Sequence, residues 1–267
     1  MGVPYVEVIG DPIAHSKSPL IHKFWLEKLG IEGDYRATRV TADELPEYLA
    51  VRRFDPYWRG CNVTMPHKEA ALELLDVDPS TRRIGALNSV VRYEQLLLGH
   101  NTDWQALNIA LDTYRLQPQR VVVIGTGGAA RAALEELRQN QAPHVSLVSR
   151  NRAKAEKLLE RFGLDGNVLP HGAAFEADLV INASPLGMEG FPPLDIDLSG
   201  FSRGATVLEM VYRPLETPLL SAARAAGFRT IDGLTMLIEQ AAMAFTFFFR
   251  EPPQSLDHDE LRELLTR

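Results

Sequence analysis

A single cysteine, Cys61, in 267 residues leaves no partner for an intrachain disulfide and excludes a cysteine-rich zinc module. Its default reading is a small packed hydrophobe. Positive charge is also short: 28 Lys and Arg face 35 Asp and Glu, a formal net charge of -7. The basic face that a polyanion partner needs is missing, so any anionic ligand must be held by a local site. No apolar run approaches the roughly 18 residues of a membrane span. The opening MGVPYVEVIGDP enters a strand pattern with no basic-then-apolar leader. The expectation is a soluble, cytoplasmic protein with no nucleic-acid and no membrane partner. The histidines (15, 22, 67, 100, 144, 171 and 258) show no H-x-x-x-H spacing, and no metal site is expected.

What is present is enough apolar material, 45% of residues, to build one large or two modest cores. The first hundred residues alternate strand-like YVEVIG, GDYRATRV and GCNVT with helix-period PLIHKFWLEKLG, ELPEYLAVRRF and KEAALELLD, an order that predicts a largely parallel α/β sheet. Asp76 to Arg83 reads as a polar turn. NSVVRYEQLLLGHNTD reads as a hairpin-like pair ending in a polar loop, and WQALNIALDTYRL as a helix. A second α/β unit begins at RVVVIGTGGAARAALEELRQN and runs through strands HVSLVSR, DLVINAS, ATVLEMVY and RTID, with helices AKAEKLLERFG and PLLSAARAAG between them. LTMLIEQAAMAFTFFF has the apolar spacing of one helical face, and its Phe247-Phe248-Phe249 run is expected to pack internally. SLDHDELRELLTR reads as a capped terminal helix.

Gly125, Gly127 and Ala130 fill the G-x-G-x-x-G/A pattern, in which the first glycine makes a turn and the second lets backbone approach a pyrophosphate. Here the pattern follows a bare VVVI run and opens a helix near Ala129, whose N–H groups suit a phosphate. The next strand decides which dinucleotide. VSLVS leads into Arg150, Asn151, Arg152 and Lys154 with no acid before Glu156, so the carboxylate that grips a ribose 2′-OH is missing and positive charge suited to a 2′-phosphate is present. NADP(H) is the expected cofactor.

Four polar clusters in the first half fall at predicted strand ends: Ser16 and Ser18 in HSKSP; Asn62, Thr64 and Lys68 in NVTMPHK; Asn88 in GALNS; and Asn101, Thr102 and Asp103 in GHNTD. The carboxyl ends of strands in an open α/β sheet are where ligands bind. Two of the clusters also suit helix caps, the serines before Pro19 and Asn101 to Asp103 before Trp104. Lys68 taken alone reads as a solvated surface charge.

In order and spacing, HSKSP, GCNVTMPHK, IGALNS, GHNTD, GTGGAARAA, INASPLGM, VYRPLETPLL and DGLTMLIEQA together resemble the shikimate dehydrogenases over nearly the whole chain. The resemblance implies reversible NADP-dependent reduction of 3-dehydroshikimate to shikimate in aromatic amino-acid biosynthesis. It implies a substrate-binding catalytic domain of residues 1–103 plus 238–267 and a Rossmann-type NADP-binding domain of residues 104–237, separated by an active-site cleft. Lys68 and Asp103 are the implied catalytic pair. Ser16, Ser18, Thr64 and Tyr212 are implied near the substrate carboxylate, and Asn62, Asn88, Asp103 and Gln240 near its hydroxyls. On the cofactor side the implied residues are Gly125, Thr126, Gly127, Gly128, Ala129 and Ala130 for the pyrophosphate; Ser149, Arg150, Asn151 and Lys154 for the 2′-phosphate; and Asn182, Ser184, Met210, Gly233 and Met236 near ribose and nicotinamide. Small-molecule substrate and cofactor are the expected partners, with the protein a monomer or homodimer.

Some positions depart from the family pattern. Trp104 and Ala106 stand where glycines are usual, Glu209 where Asp is usual, and Asn151 and Lys154 where Thr and Arg are common. A quinate-oxidising paralogue, with NAD in place of NADP, and a non-catalytic ligand sensor are the alternatives.

Overall fold

Short β-branched runs alternate with amphipathic segments all along the chain, and each run enters a sheet. In the computed structural model, which describes residues 2–14, 16–253 and 257–266, the elements are β1 (Tyr5–Gly10), α1 (Ser18–Leu29), β2 (Asp34–Arg39), α2 (Leu45–Arg52), β3 (Trp58–Val63), α3 (His67–Ala70), β4 (Asp76–Val77), α4 (Pro79–Ile84), β5 (Ser89–Tyr93) and β6 (Leu96–His100). There follow α5 (Thr102–Thr113), β7 (Arg120–Ile124), α6 (Gly128–Gln139), β8 (His144–Val148), α7 (Arg152–Phe162), β9 (Val168–Leu169), β10 (Ala177–Asn182), β11 (Phe201–Glu209), α8 (Pro218–Ala225), β12 (Arg229–Ile231), α9 (Gly233–Phe249) and α10 (Asp257–Thr266). Two compact units divide them: Met1–Thr102 with Gln240–Arg267, and Asp103–Glu239.

The sheet of the first unit has the order β2-β1-β3-β5-β6-β4. β1 is parallel to β2 and β3, β5 is antiparallel to β3 and β6, and β4 is parallel to β6, so β5 alone runs against the rest. Side chains alternate across β1. Tyr5 and Ile9 enter one core with Leu45, Leu49, Trp58 and Cys61, while Val6 and Val8 enter the other with Tyr35, Ala244 and Phe248. Cys61 is fully buried, and burial pushes its thiol well above the ordinary value, as befits a packed hydrophobe. The Phe247–Phe249 run packs inside the unit: Phe248 is buried, Phe247 leans on His100 with ring centroids 4.8 Å apart, and Phe249 on Phe245 at 4.7 Å.

The chain departs from expectation in four places. KEAALELLD forms only the single turn α3 and a 3-10 turn, Ala71–Glu73, because Ala71, Leu72 and Leu75 drop into the core and Asp76 must pair with β6. Asp76 to Arg83 is structured: after β4, Asp78 caps α4 by accepting from Thr81 N at 2.8 Å, Pro79 occupies its first turn and Gly85 ends it in the left-handed region. The cap position of α1 is Lys17, which makes no side-chain cap bond, and of the serines only Ser16 reaches the helix, accepting from Ser18 N. Helix α5 starts at Thr102 rather than near Trp104. The cap expected for the terminal helix lies outside the described residues.

The six strands of the second unit are all parallel in the order β12-β11-β10-β7-β8-β9. Counted within the unit this is 6-5-4-1-2-3, the doubly wound dinucleotide-binding order, and the switch point lies between β7 and β10. Helix α6 carries buried Glu136, whose carboxyl is raised to about 7 mainly by burial, with Asp112 adding to the rise while Asn140 and Asn108 oppose it. A carboxyl that holds its proton more tightly in the folded state stabilises the fold fully below its ordinary 4.5 and gives that up as pH rises through about 7. Glu136→Gln is therefore expected to flatten the loss of stability between those pH values by about 2–3 kcal/mol. Parallel denaturant titrations of the two proteins from pH 4.5 to 7.5 measure it, and identical slopes contradict it. No helix among the described residues is long and apolar enough to cross a membrane.

Candidate active site

Register brings the polar clusters of the first unit to one end of its sheet. Asn62 pairs with Ser89, and Ser89 with His100, so the carboxyl ends of β3 and β6 meet the amino end of β5. Backbone bonds close this end: Thr64 N donates to Ile9 O (3.0 Å), Val63 N to Asn88 O (2.8 Å) and Asn88 N to His100 O (3.0 Å). Ser16 and Ser18 follow the end of β1, with Ser18 N donating to Ser16 Oγ at 3.3 Å. Asn88 is 3% exposed, exchanges hydrogen bonds with the Thr102 backbone and hydroxyl, and so ties β5 to the first residue of α5. Asn101 Nδ2 donates to Ala86 O. Asn101 and Thr102 thus brace the 86–88 segment.

Lys68 stands half-buried in α3, after the cis Met65–Pro66 bond. Its carbonyl accepts from Leu87 N at 2.8 Å, and neighbouring His67 reaches Val40 O at 2.7 Å, so the backbone beneath the ammonium is bonded on both sides. Asp103 is half-buried in the first turn of α5, with half-buried Trp104 and fully buried Ala106 after it.

In the second unit the glycine loop follows β7. Gly125 has φ +115°, and a Cβ there would stand 2.9 Å from Ala183 O and 3.3 Å from Ser184 N, so both conformation and space demand glycine. Gly127 faces open space where its Cβ would be, and α6 begins behind it without a side-chain cap. Uncapped N–H groups and an uncrowded approach fit a pyrophosphate. Ala130 is fully buried, allowing close packing of helix on sheet. Past β8, Ser149 Oγ donates to Asn151 O and accepts from Asn151 N, and Asn151 Oδ1 caps α7 by accepting from Lys154 N at 3.0 Å. Arg150 and Lys154 project there as exposed cations, while Arg152 pairs with Glu156.

The side chains of Asn62 and Asn182 each have protein partners. Asn62 gives both amide hydrogens to Asn88 O and Ser89 Oγ. Asn182, with no exposed surface, donates to Leu186 O and to the Glu209 carboxylate, and its oxygen accepts from Ser184 N and Oγ. A buried amide left without partners is costly, and at both strand ends the nearest groups satisfy it. Met210 N donates to Asn182 O, and Gly233 packs so closely on the Val211 carbonyl that a Cβ would come within 2.3 Å of it. Met236 is buried in α9, Tyr212 is exposed, and Gln240 returns the chain to the first unit. Glu209 ends β11, next to Asn182 at the end of β10, and is also bonded by Val211 N (3.0 Å) and Thr217 Oγ1 (3.1 Å), with burial pushing its carboxyl up. The signal for such a hub is a lone acid inside the apolar run ATVLEMVY.

Comparison with known proteins agrees with this division. A family model of the shikimate dehydrogenase substrate binding domain matches residues 8–90, and one for shikimate / quinate 5-dehydrogenase matches residues 108–184. The chain is 52% identical over 266 residues to shikimate dehydrogenase (NADP(+)) of Sphingopyxis alaskensis, covering 98% of this chain and 97% of that protein. Shikimate 5-dehydrogenase from Thermus thermophilus, solved with NADP(H) and shikimate, is 37% identical with a TM-score of 0.87 over 98% of this chain and 99% of its own. A 5-ketofructose reductase of Gluconobacter, solved ligand-free, reaches a TM-score of 0.91 at 28% identity, covering 99% of each chain, so a protein of another name shares the fold. On sequence over nearly its full length, the chain belongs to the shikimate dehydrogenase family.

Proposed function

We propose that this chain catalyses the NADP-dependent, reversible reduction of 3-dehydroshikimate to shikimate, as a cytoplasmic enzyme of chorismate and aromatic amino-acid biosynthesis. The observation that supports the reading is the backbone bond from Leu87 N to Lys68 O, which holds the Lys68 backbone against the segment leading to Asn88. NADPH supplies the hydride when bound. Negative charge then grows on the substrate carbonyl oxygen, and the Lys68 ammonium stabilises it and delivers the proton. Asp103 steadies that ammonium and accepts from a substrate hydroxyl. Ser16, Ser18 and Thr64 donate to the carboxylate with Tyr212 nearby, and Asn88 and Gln240 hold the hydroxyls. Asn62 joins them at the hydroxyls, and Asn182 lies near the ribose and nicotinamide.

On this reading residues 1–103 with 238–267 are the substrate domain and residues 104–237 the nucleotide domain. The loop 125–130 takes the pyrophosphate; Arg150 and Lys154, placed by Ser149 and Asn151, take the 2′-phosphate; and Ser184, Met210, Gly233 and Met236 border the ribose and nicotinamide. Replacing Arg150 by alanine is expected to raise KM for NADP about tenfold while KM for NAD moves less than twofold, since a charge-assisted bond to phosphate is lost. Equal changes for the two cofactors refute that assignment. The reading as a whole is tested by steady-state rates with shikimate and quinate, each with NADP and NAD. Shikimate with NADP is expected to be the best pair; a rate only with quinate selects the quinate paralogue, and none with any pair selects the ligand sensor. The expected partners are the small-molecule substrate and cofactor alone, with the protein a monomer or homodimer.

A further inference from the structure

Glu209 is the last residue of β11 and has no exposed surface, so its carboxyl group must be answered by protein. Oε1 accepts from Asn182 Nδ2 (2.8 Å) and Val211 N (3.0 Å), and Oε2 from Asn182 Nδ2 (3.0 Å) and Thr217 Oγ1 (3.1 Å). The direction of the Asn182 amide follows from its other partners. Leu186 O can only accept and Ser184 N can only donate, so the amide nitrogen faces Leu186 and Glu209. The amide oxygen then holds Ser184 N at 3.1 Å and takes the Ser184 hydroxyl hydrogen at 2.7 Å. One buried acid thereby holds two segments, the one after β10 through Asn182 and the one after its own strand through Val211.

Both segments stand against glycines of the proposed nucleotide site. A Cβ on Gly125 would lie 2.9 Å from Ala183 O and 3.3 Å from Ser184 N, and one on Gly233 would lie 2.3 Å from Val211 O. At that spacing a displaced segment either crowds its glycine or opens a gap beside it. The residues read as 2′-phosphate ligands, Arg150 and Lys154, follow β8, which is on the far side of β7 from β10 and β11.

We propose that Glu209 is a positioning residue for the nicotinamide half of the cofactor, setting the Ser184 segment through Asn182 and the Met210–Tyr212 segment through Val211. The proposal rests on the reading of Ser184, Met210 and Gly233 as neighbours of the ribose and nicotinamide. Glu209 touches neither cofactor nor substrate on this account; it acts only through the two segments it bonds.

Glu209→Gln keeps the length of the side chain and replaces one acceptor by a donor. Both carboxyl oxygens accept from Asn182 Nδ2, so whichever way the new amide lies, an NH₂ group faces the Asn182 nitrogen. Calorimetric titration of the full chain with two probes reads the consequence: NADP, and adenosine 2′,5′-bisphosphate, which carries the 2′-phosphate but no nicotinamide. The expected result is a roughly fivefold rise in Kd for NADP, with Kd for the bisphosphate and KM for shikimate within about twofold of the wild type. Ser184→Ala, at the other end of the Asn182 link, is expected to weaken NADP in the same selective way. The double variant should then do little more than the larger single change, because the two act as one unit. An unchanged Kd for NADP in Glu209→Gln overturns the proposal, as do additive effects of the two changes. An equal loss for both probes that tracks a lower Tm overturns it too, and leaves Glu209 a residue of stability alone. Should Glu209→Gln fail to fold, Ser184→Ala by itself decides, and the lack of a difference between the two probes overturns the proposal. A wild type that binds NADP no better than a nucleotide lacking the 2′-phosphate and the nicotinamide, such as AMP, marks failure of the functional reading instead.

Discussion

Lys68→Met is expected to lower kcat for shikimate oxidation by roughly 10²- to 10⁴-fold, the span of a positioned general acid–base group. KM for shikimate is expected to change by less than about threefold, because charge that builds on the substrate oxygen only in the transition state leaves ground-state binding nearly untouched. Methionine keeps the length and the apolar stem and removes only the ammonium. The backbone under the residue is held by Leu87 N on Lys68 O and by His67 on Val40 O, neither of which uses the Lys68 side chain, so the fold should survive the change. Steady-state kinetics with a Tm measured in parallel decide it: near-normal turnover removes Lys68 from the chemistry, and a matched fall of Tm and activity reassigns it to stability.

Gly125→Ala and Gly127→Ala are expected to fail in different ways, although two positions and one methyl group separate them. At Gly125 the new side chain meets φ +115° and the Ala183 carbonyl at 2.9 Å, and Ala183 N is itself bonded to Ile124 O at 3.0 Å, so the backbone cannot easily give way. Strain of this kind costs roughly 1–3 kcal/mol, or roughly 3–10 °C in Tm for a chain of this size. At Gly127 φ is -84° and nothing lies within 4 Å of the added carbon. That variant should fold as the wild type does, within about 1 °C in Tm, and still raise KM for NADP about tenfold or more, because the methyl fills the space a pyrophosphate approaches through. Thermal unfolding and NADP kinetics on both variants test the pair. An unchanged KM for NADP in Gly127→Ala would leave the loop a turn without a ligand.

The contrast between these glycines also shows what could be read without coordinates. The run RVVVI before a glycine-rich turn and a helix announces a parallel strand at a nucleotide site, and the chain delivers it as β7, loop and α6. The element DPSTRRIG was legible in principle, with an acid, a proline and a closing glycine at capping positions, but one apolar residue in six gave no helical period to notice. The polar residues at the strand ends were placed at the right end of the sheet by composition and order. The direction of their amides was not, because that depends on neighbours distant in sequence: Asn62 faces Tyr35 and Asn88, and Asn182 faces Glu209. The partner of Asn62 is hidden for the same reason, since in DYRATR Tyr35 looks like one more alternating strand residue. Only the pairing of β2 with β1, and of β1 with β3, brings it beside Asn62.

The claim at the centre is that this chain moves a hydride between a nicotinamide and the ring carbon of 3-dehydroshikimate. Incubating the protein with 3-dehydroshikimate and NADPH deuterated on both hydrogens of nicotinamide C4 tests it most directly, with mass spectrometry of the product. The account predicts shikimate carrying one deuterium on the newly formed carbinol carbon, at a rate that falls with Lys68→Met. Shikimate formed without deuterium, or 3-dehydroshikimate recovered unchanged while quinate is oxidised by the same protein, would contradict it.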